Sequence, residues 1–129
     1  MTTREIVTEI DVDGFKSLFS TIGNNIIILK FTATWCKPCK TIKPLVDEWF
    51  AKLPNNFVIV ELDIDETMDL YAALKRKKMI NGIPVLLAYY ESKGRDPNHW
   101  FIPSDSVTGA NEKQVNEFFS RIQIKAATM

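Results

Sequence analysis

Ile26-Ile-Ile-Leu-Lys30-Phe31-Thr-Ala-Thr-Trp35-Cys36-Lys37-Pro38-Cys39-Lys40 holds a strand, a turn and the start of a helix. From Ile26 to Phe31 only Lys30 interrupts the apolar run, the pattern of a strand covered on both faces. Further on, Ile42, Leu45, Val46, Trp49, Phe50 and Leu53 fall on one helical stripe, which Pro54-Asn55-Asn56 ends. The two cysteines therefore stand where a buried strand passes into a helix. Cys36 comes at the helix N-terminus, where unpaired N–H groups and the macrodipole favour an anion. A thiolate is the nucleophile of disulfide exchange, so this location activates it. Cys39, one turn on, is near enough to attack a mixed disulfide formed at Cys36. Pro38 falls in the first turn, where its missing N–H is tolerated.

Other readings of the pair are weaker. A zinc site needs four ligands, and the chain offers only His99 besides these two thiols. A purely structural disulfide across so short a loop constrains little. Buried, inert thiols stay open as an alternative, against which the flanking Lys37, Pro38 and Lys40 argue for exposure.

Outward from this segment the pattern alternates. Ile6, Thr8 and Ile10 suggest a short edge strand, and Asp13 opens a helix with Phe15, Leu18, Phe19 and Ile22 on one face. Phe57 to Ile64 reads as a strand, Thr67 to Lys77 as a helix, and Ile83 to Tyr90 as a strand with Pro84 at its start. A polar stretch from 91 to 110 leaves room for one short strand, with His99-Trp100-Phe101-Ile102 its aromatic segment. Val115, Phe118, Phe119 and Ile122 mark a last helix. Helices between strands imply right-handed crossovers and a central sheet with helices on both faces, an α/β domain spanning 1–129.

Composition narrows the function. The 129 residues are 46% hydrophobic and 25% charged, an ordinary globular mixture. Sixteen basic and sixteen acidic side chains cancel, so the strong positive field of a general nucleic-acid or anionic-membrane binder is missing. No stretch has the length of a membrane span. The first ten residues lack the apolar core of a secretory signal, and two cysteines fit a cytoplasmic chain.

Phe31 to Lys40, with Trp35 before the first cysteine and Lys40 after the second, resembles the active-site segment of the thioredoxin family. Pro44 matches the proline inside that family's active-site helix. Gly82-Ile83-Pro84 matches its cis-proline segment, and Gly109-Ala110 the glycine turn before its last helix. The resemblance spans about Ile6 to Ile122. It implies a thioredoxin fold with a central mixed sheet, in which Cys36 is the nucleophile and Cys39 the resolving thiol. Trp35, Ile83, Pro84 and Gly109 would form the substrate-binding surface, with the Ile83 backbone holding an extended segment of the client. The implied activity is reduction of protein disulfides by a monomeric redox carrier in cytoplasmic electron transport and redox homeostasis. The implied partners are disulfide-containing client proteins and a flavin-containing thioredoxin reductase. No bound cofactor or metal is implied beyond a redox-active Cys36–Cys39 disulfide. Two rivals are a non-enzymatic interaction module of the same fold and a glutaredoxin. The second lacks a glycine–aspartate glutathione segment after Gly109.

The departures from the family pattern carry their own expectations. Lys37 stands where glycine is commonest and should stabilise the Cys36 thiolate. Val85 replaces a threonine after the proline. Lys30 takes the place of a buried aspartate, and Glu61, which interrupts Phe57–Leu62 in the same way, is its expected partner. Glu61 would then relay the Cys39 proton, with Lys30, Glu61, Lys37 and Pro38 tuning the site. The stretch between Pro84 and Gly109 is longer than usual, which suggests a partner-recognition role for Glu91–Pro97 that could be trimmed without loss of fold. Lys75-Arg76-Lys77-Lys78 reads as a solvated helix end, with a docking patch for an acidic partner as the alternative, and His99 as a surface residue. Trp49 has core spacing, whereas Tyr89, Tyr90, Trp100 and Phe101 suit either the sheet or a recognition patch. Asp63, Asp65 and Glu66 lack a metal-binding arrangement.

Overall fold

The computed structural model describes residues 5–129; Met1–Arg4, part of the stretch tested for a leader, lie outside it. Its elements are β1 (Ile6–Val7), α1 (Val12–Ser20), β2 (Ile26–Thr32), α2 (Lys37–Lys52), β3 (Phe57–Asp63), α3 (Met68–Arg76), β4 (Val85–Tyr89), β5 (Asp105–Thr108) and α4 (Glu112–Thr128). The sheet order is β1-β3-β2-β4-β5, parallel among the first three strands and antiparallel at β4 and β5. The expected mixed sheet is present.

Alternation within β2 builds two cores. Ile27, Leu29 and Phe31 face one side with Phe15 and Phe19 of α1 and Leu70 and Leu74 of α3. Ile26 and Ile28 face the other with Val46 and Phe50 of α2 and Phe118 and Phe119 of α4. The period of two in the strands and the helical stripes are thus satisfied together. Trp49 is half-buried, stacked on Phe119 at 5.1 Å and bonded through Nε1 to Asn116 Oδ1 at 2.8 Å, so it ties α2 to α4.

Two boundaries differ from the sequence reading. Asp11, not Asp13, caps α1: its Oδ1 accepts the Gly14 N–H at 2.7 Å, leaving Asp13 in the first turn. The short strand lies at Asp105–Thr108, not at the aromatic segment. Pro97–His99 makes a 3₁₀ turn, and Trp100 and Phe101 pack on the α1 side of the sheet, Trp100 6.1 Å from Phe15. Burying those rings on the core outweighs their strand propensity. Tyr89 lies inside the same core, its hydroxyl donating to the Phe101 carbonyl at 3.1 Å; burial pushes its phenol pKa up.

The long connection leaves β4 after Tyr89, which pairs with Ile27 at the start of β2. Cys36 follows the end of β2, so the connection departs from the opposite pole. Arg95 fastens it: the guanidinium donates to the Ile102 carbonyl at 2.6 Å and the His99 carbonyl at 3.4 Å and covers the Phe19 ring at 5.0 Å. Glu91 pairs with Lys125 of α4. The segment is therefore part of the packing, and deleting Glu91–Pro97 would remove its anchor. Arg95→Ala is expected to lower stability by about 1–3 kcal/mol, through charge-assisted hydrogen bonds and a ring contact. An unchanged urea midpoint would show that the loop holds without it.

Candidate active site

Cys36 is the N-cap of α2 with extended backbone (φ −86°, ψ 106°), and its Sγ accepts the Cys39 N–H at 3.2 Å. The sulfur thus receives one of the helix's unpaired amides, the interaction that favours a thiolate there. Lys37 and Pro38 are the first two residues of the helix, and its first turn carries no acidic residue. Cys36 and Cys39 are joined as a disulfide, with Cα atoms 5.3 Å apart. α2 runs on through Pro44, which removes one backbone hydrogen bond from the helix.

The exposure expected of the pair belongs to its neighbours. Cys36 and Cys39 are only 5% and 2% exposed, whereas Trp35 is 64% exposed and Lys37, Pro38 and Lys40 face solvent. Ala33, Ile64 and Ile83 wall the sulfurs. A low-dielectric wall strengthens the nearby amide dipoles, so burial here does not by itself make the thiols inert.

The sequence-predicted substrate residues converge. The Ile83–Pro84 peptide bond is cis, and Ile83 packs against the cluster that Ala33 forms with the two cysteines. Gly109, at φ +98°, donates its N–H to the Pro84 carbonyl at 2.8 Å, which ties the glycine turn to the proline loop. Such a φ disfavours any side chain at this place. The Trp35 indole donates to Asp65 Oδ2 at 2.8 Å, and Asp63 Oδ1 accepts the Asp65 N–H at 2.8 Å. Asp65 was missed as a site residue: alternation suggested only its side, and the residue it meets lies thirty positions away. These carboxylates shape the turn that orients Trp35, and among the described residues no acidic, cysteine or histidine cluster suits a metal ion.

Beneath the site, register places Lys30 opposite Glu61 on β2 and β3. Lys30 Nζ lies 2.9 Å from Glu61 Oε2, with side-chain exposures of 2% and 21%. The approach is off the angle of a hydrogen bond, so the contact is chiefly coulombic. Lys30 and Ile42 also line a cavity of about 10 Å³ whose other walls include Pro84 and Gly109. Its charge is thus buried directly below the proline loop. Lys43 bonds to Asp47 at 3.0 Å; that bond above all, with the Glu61 charge adding, raises its pKa.

Lys37→Gly is expected to raise the Cys36 thiol pKa and to make the disulfide harder to reduce. The cation stabilises the thiolate through exposed solvent, so the effect shrinks with added salt. An identical thiolate titration for the two proteins at low ionic strength would refute it.

The thioredoxin family model matches residues 6–120. The chain is 32% identical to a thioredoxin of Ophiophagus hannah over 83% of its own length and 89% of the relative. It is 30% identical to thioredoxin 3 of Plasmodium falciparum over 88% of its length, but spans only 57% of that longer protein. The crystal structure of Schistosoma mansoni thioredoxin aligns with a TM-score of 0.65 at 26% identity, covering 91% of this chain and 94% of that one. With a disulfide-capable pair at the helix N-terminus, a purely non-enzymatic module is not favoured. The chain belongs to the thioredoxin family of dithiol–disulfide oxidoreductases.

Proposed function

We propose that this chain reduces disulfides of client proteins in the cytoplasm, as a monomeric electron carrier recharged by a flavin-containing thioredoxin reductase. The observation that carries the reading is the Cys36 sulfur at the α2 N-cap, accepting an amide and bonded to a second cysteine one turn on. In the reduced protein the Cys36 thiolate attacks a client sulfur. A new S–S bond forms, and the other client sulfur leaves and takes up a proton. Cys39 then loses its proton and attacks Cys36 Sγ, the second client thiolate departs, and two electrons have passed to the client. Trp35, Ile83, Pro84 and Gly109 form the surface on which the client segment lies.

Glu61 serves as the proton acceptor for Cys39. Two observations support this role: the Glu61 carboxylate, paired with Lys30, lies near enough to α2 for its charge to act on Lys43, and its Oε2 accepts no hydrogen bond. Glu61→Gln is expected to slow resolution of the mixed disulfide while leaving the first attack unchanged. Normal single-turnover resolution would remove Glu61 from the mechanism.

The reductase partnership is tested by NADPH oxidation with a flavin-containing thioredoxin reductase and insulin as terminal acceptor. Oxidation that rises with this chain supports the reading. A rate no higher than the reductase blank, with dithiothreitol-driven reduction intact, would leave the chemistry and overturn the partner.

A further inference from the structure

The cations outside the dithiol site are not evenly spread. The α3 end carries Lys75-Arg76-Lys77-Lys78, and the 95–102 segment brings two rings between it and α1. Lys77 Nζ lies 4.9 Å from the Phe101 ring centre and Lys16 Nζ 5.9 Å from that of Trp100, while the two rings meet edge to face at 5.9 Å. Among the described residues, no carboxylate comes within 4.0 Å of Lys16, Lys77 or Arg95. Asp96, the acidic neighbour, caps the Asn98 N–H and lies 4.0 Å from His99. In a chain of zero net charge, these cations stand without a salt-bridge partner among the described residues.

The strip is also rigid. Arg95 spends its guanidinium on two carbonyls and on Phe19, and Tyr89 holds the Phe101 carbonyl from below. The lysine heads are therefore displayed on a fixed floor, which lowers the ordering needed on binding. It lies on the α1–α3 face, whereas Cys36 opens α2 on the other face and at the other pole.

We propose that Lys16, Lys77 and the α3 end form a docking surface for an extended acidic protein segment, held while the dithiol stays free to react. Carboxylates suit it by charge. Nucleic acid suits it less, because a lysine already stands over each of the Trp100 and Phe101 rings, and the whole chain lacks a net positive field.

The test is fluorescence anisotropy of a labelled oligoglutamate peptide with the whole chain, beside a neutral peptide and an oligothymidylate of equal length. Oligoglutamate binding is expected to weaken about tenfold between about 20 and about 200 mM salt. It is expected to fall at least fivefold (an estimate of about 1 kcal/mol) in both Lys16→Glu/Lys77→Glu and Lys16→Gln/Lys77→Gln, with insulin reduction unchanged. Absence of oligoglutamate binding at low salt, or binding that neither double variant weakens, would overturn the proposal. So would oligothymidylate binding as tightly as oligoglutamate, which would assign the strip to single-stranded nucleic acid.

Discussion

Cys36→Ser is expected to reduce dithiothreitol-driven insulin reduction to the uncatalysed background. The serine keeps the N-cap hydrogen bond to the residue 39 amide, so the helix and the fold survive. What disappears is the one sulfur that the helix N-terminus activates, and a hydroxyl does not attack disulfides. Cys39 does not replace it, because it lies within α2 and not at the N-cap that activates Cys36. Cys39→Ser makes the complementary case: the first attack proceeds and a mixed disulfide accumulates, visible as an added client mass under non-reducing conditions. Equal turnover for wild type and Cys36→Ser would remove Cys36 from its role as nucleophile.

Glu61→Leu is expected to destabilise the fold by about 3–5 kcal/mol, the usual effect of stranding a buried charge. For a domain of this size that lowers Tm by about 10–20 °C. Lys30→Met, the converse change, leaves Glu61 alone instead. The exposures of the two side chains set the order. Glu61 keeps 21% of its side chain accessible and can turn to water, whereas Lys30 keeps 2% and cannot. Lys30→Met is therefore the milder single change, and the double variant Lys30→Met/Glu61→Leu is expected to recover to within about 1–2 kcal/mol of wild type, because apolar pairs replace buried ion pairs well. Thermal unfolding of the three variants orders them. A Glu61→Leu protein as stable as wild type would mean that the Lys30 ammonium finds water when its partner is gone.

The segment from Ile26 to Leu53 determined the centre of the architecture, β2 and α2, on its own. Periodicity is local, so the buried strand, the α2 stripe and the cysteines at their junction are legible without neighbours. Resemblance added the proline loop and Gly109, which the structure brings together through the Gly109–Pro84 hydrogen bond. Opposite charges interrupting two apolar strands, together with the family resemblance that sets those strands side by side, paired Lys30 with Glu61, and the parallel register brings the two positions opposite each other. The sequence did not show which of the two has access to water. Nor did it reveal Asp65 under the Trp35 indole, the true place of the short fifth strand, or the anchoring of the 91–104 connection by Arg95. These outcomes depend on contacts between residues far apart in the chain or on backbone carbonyls that carry no residue signature. His99-Trp100-Phe101 is the clearest case: its residue types suit a strand, but the space beside Phe15 and the cover that Lys16 and Lys77 give its rings exist only once α1, α3 and β4 have packed, and burial there outweighs local propensity.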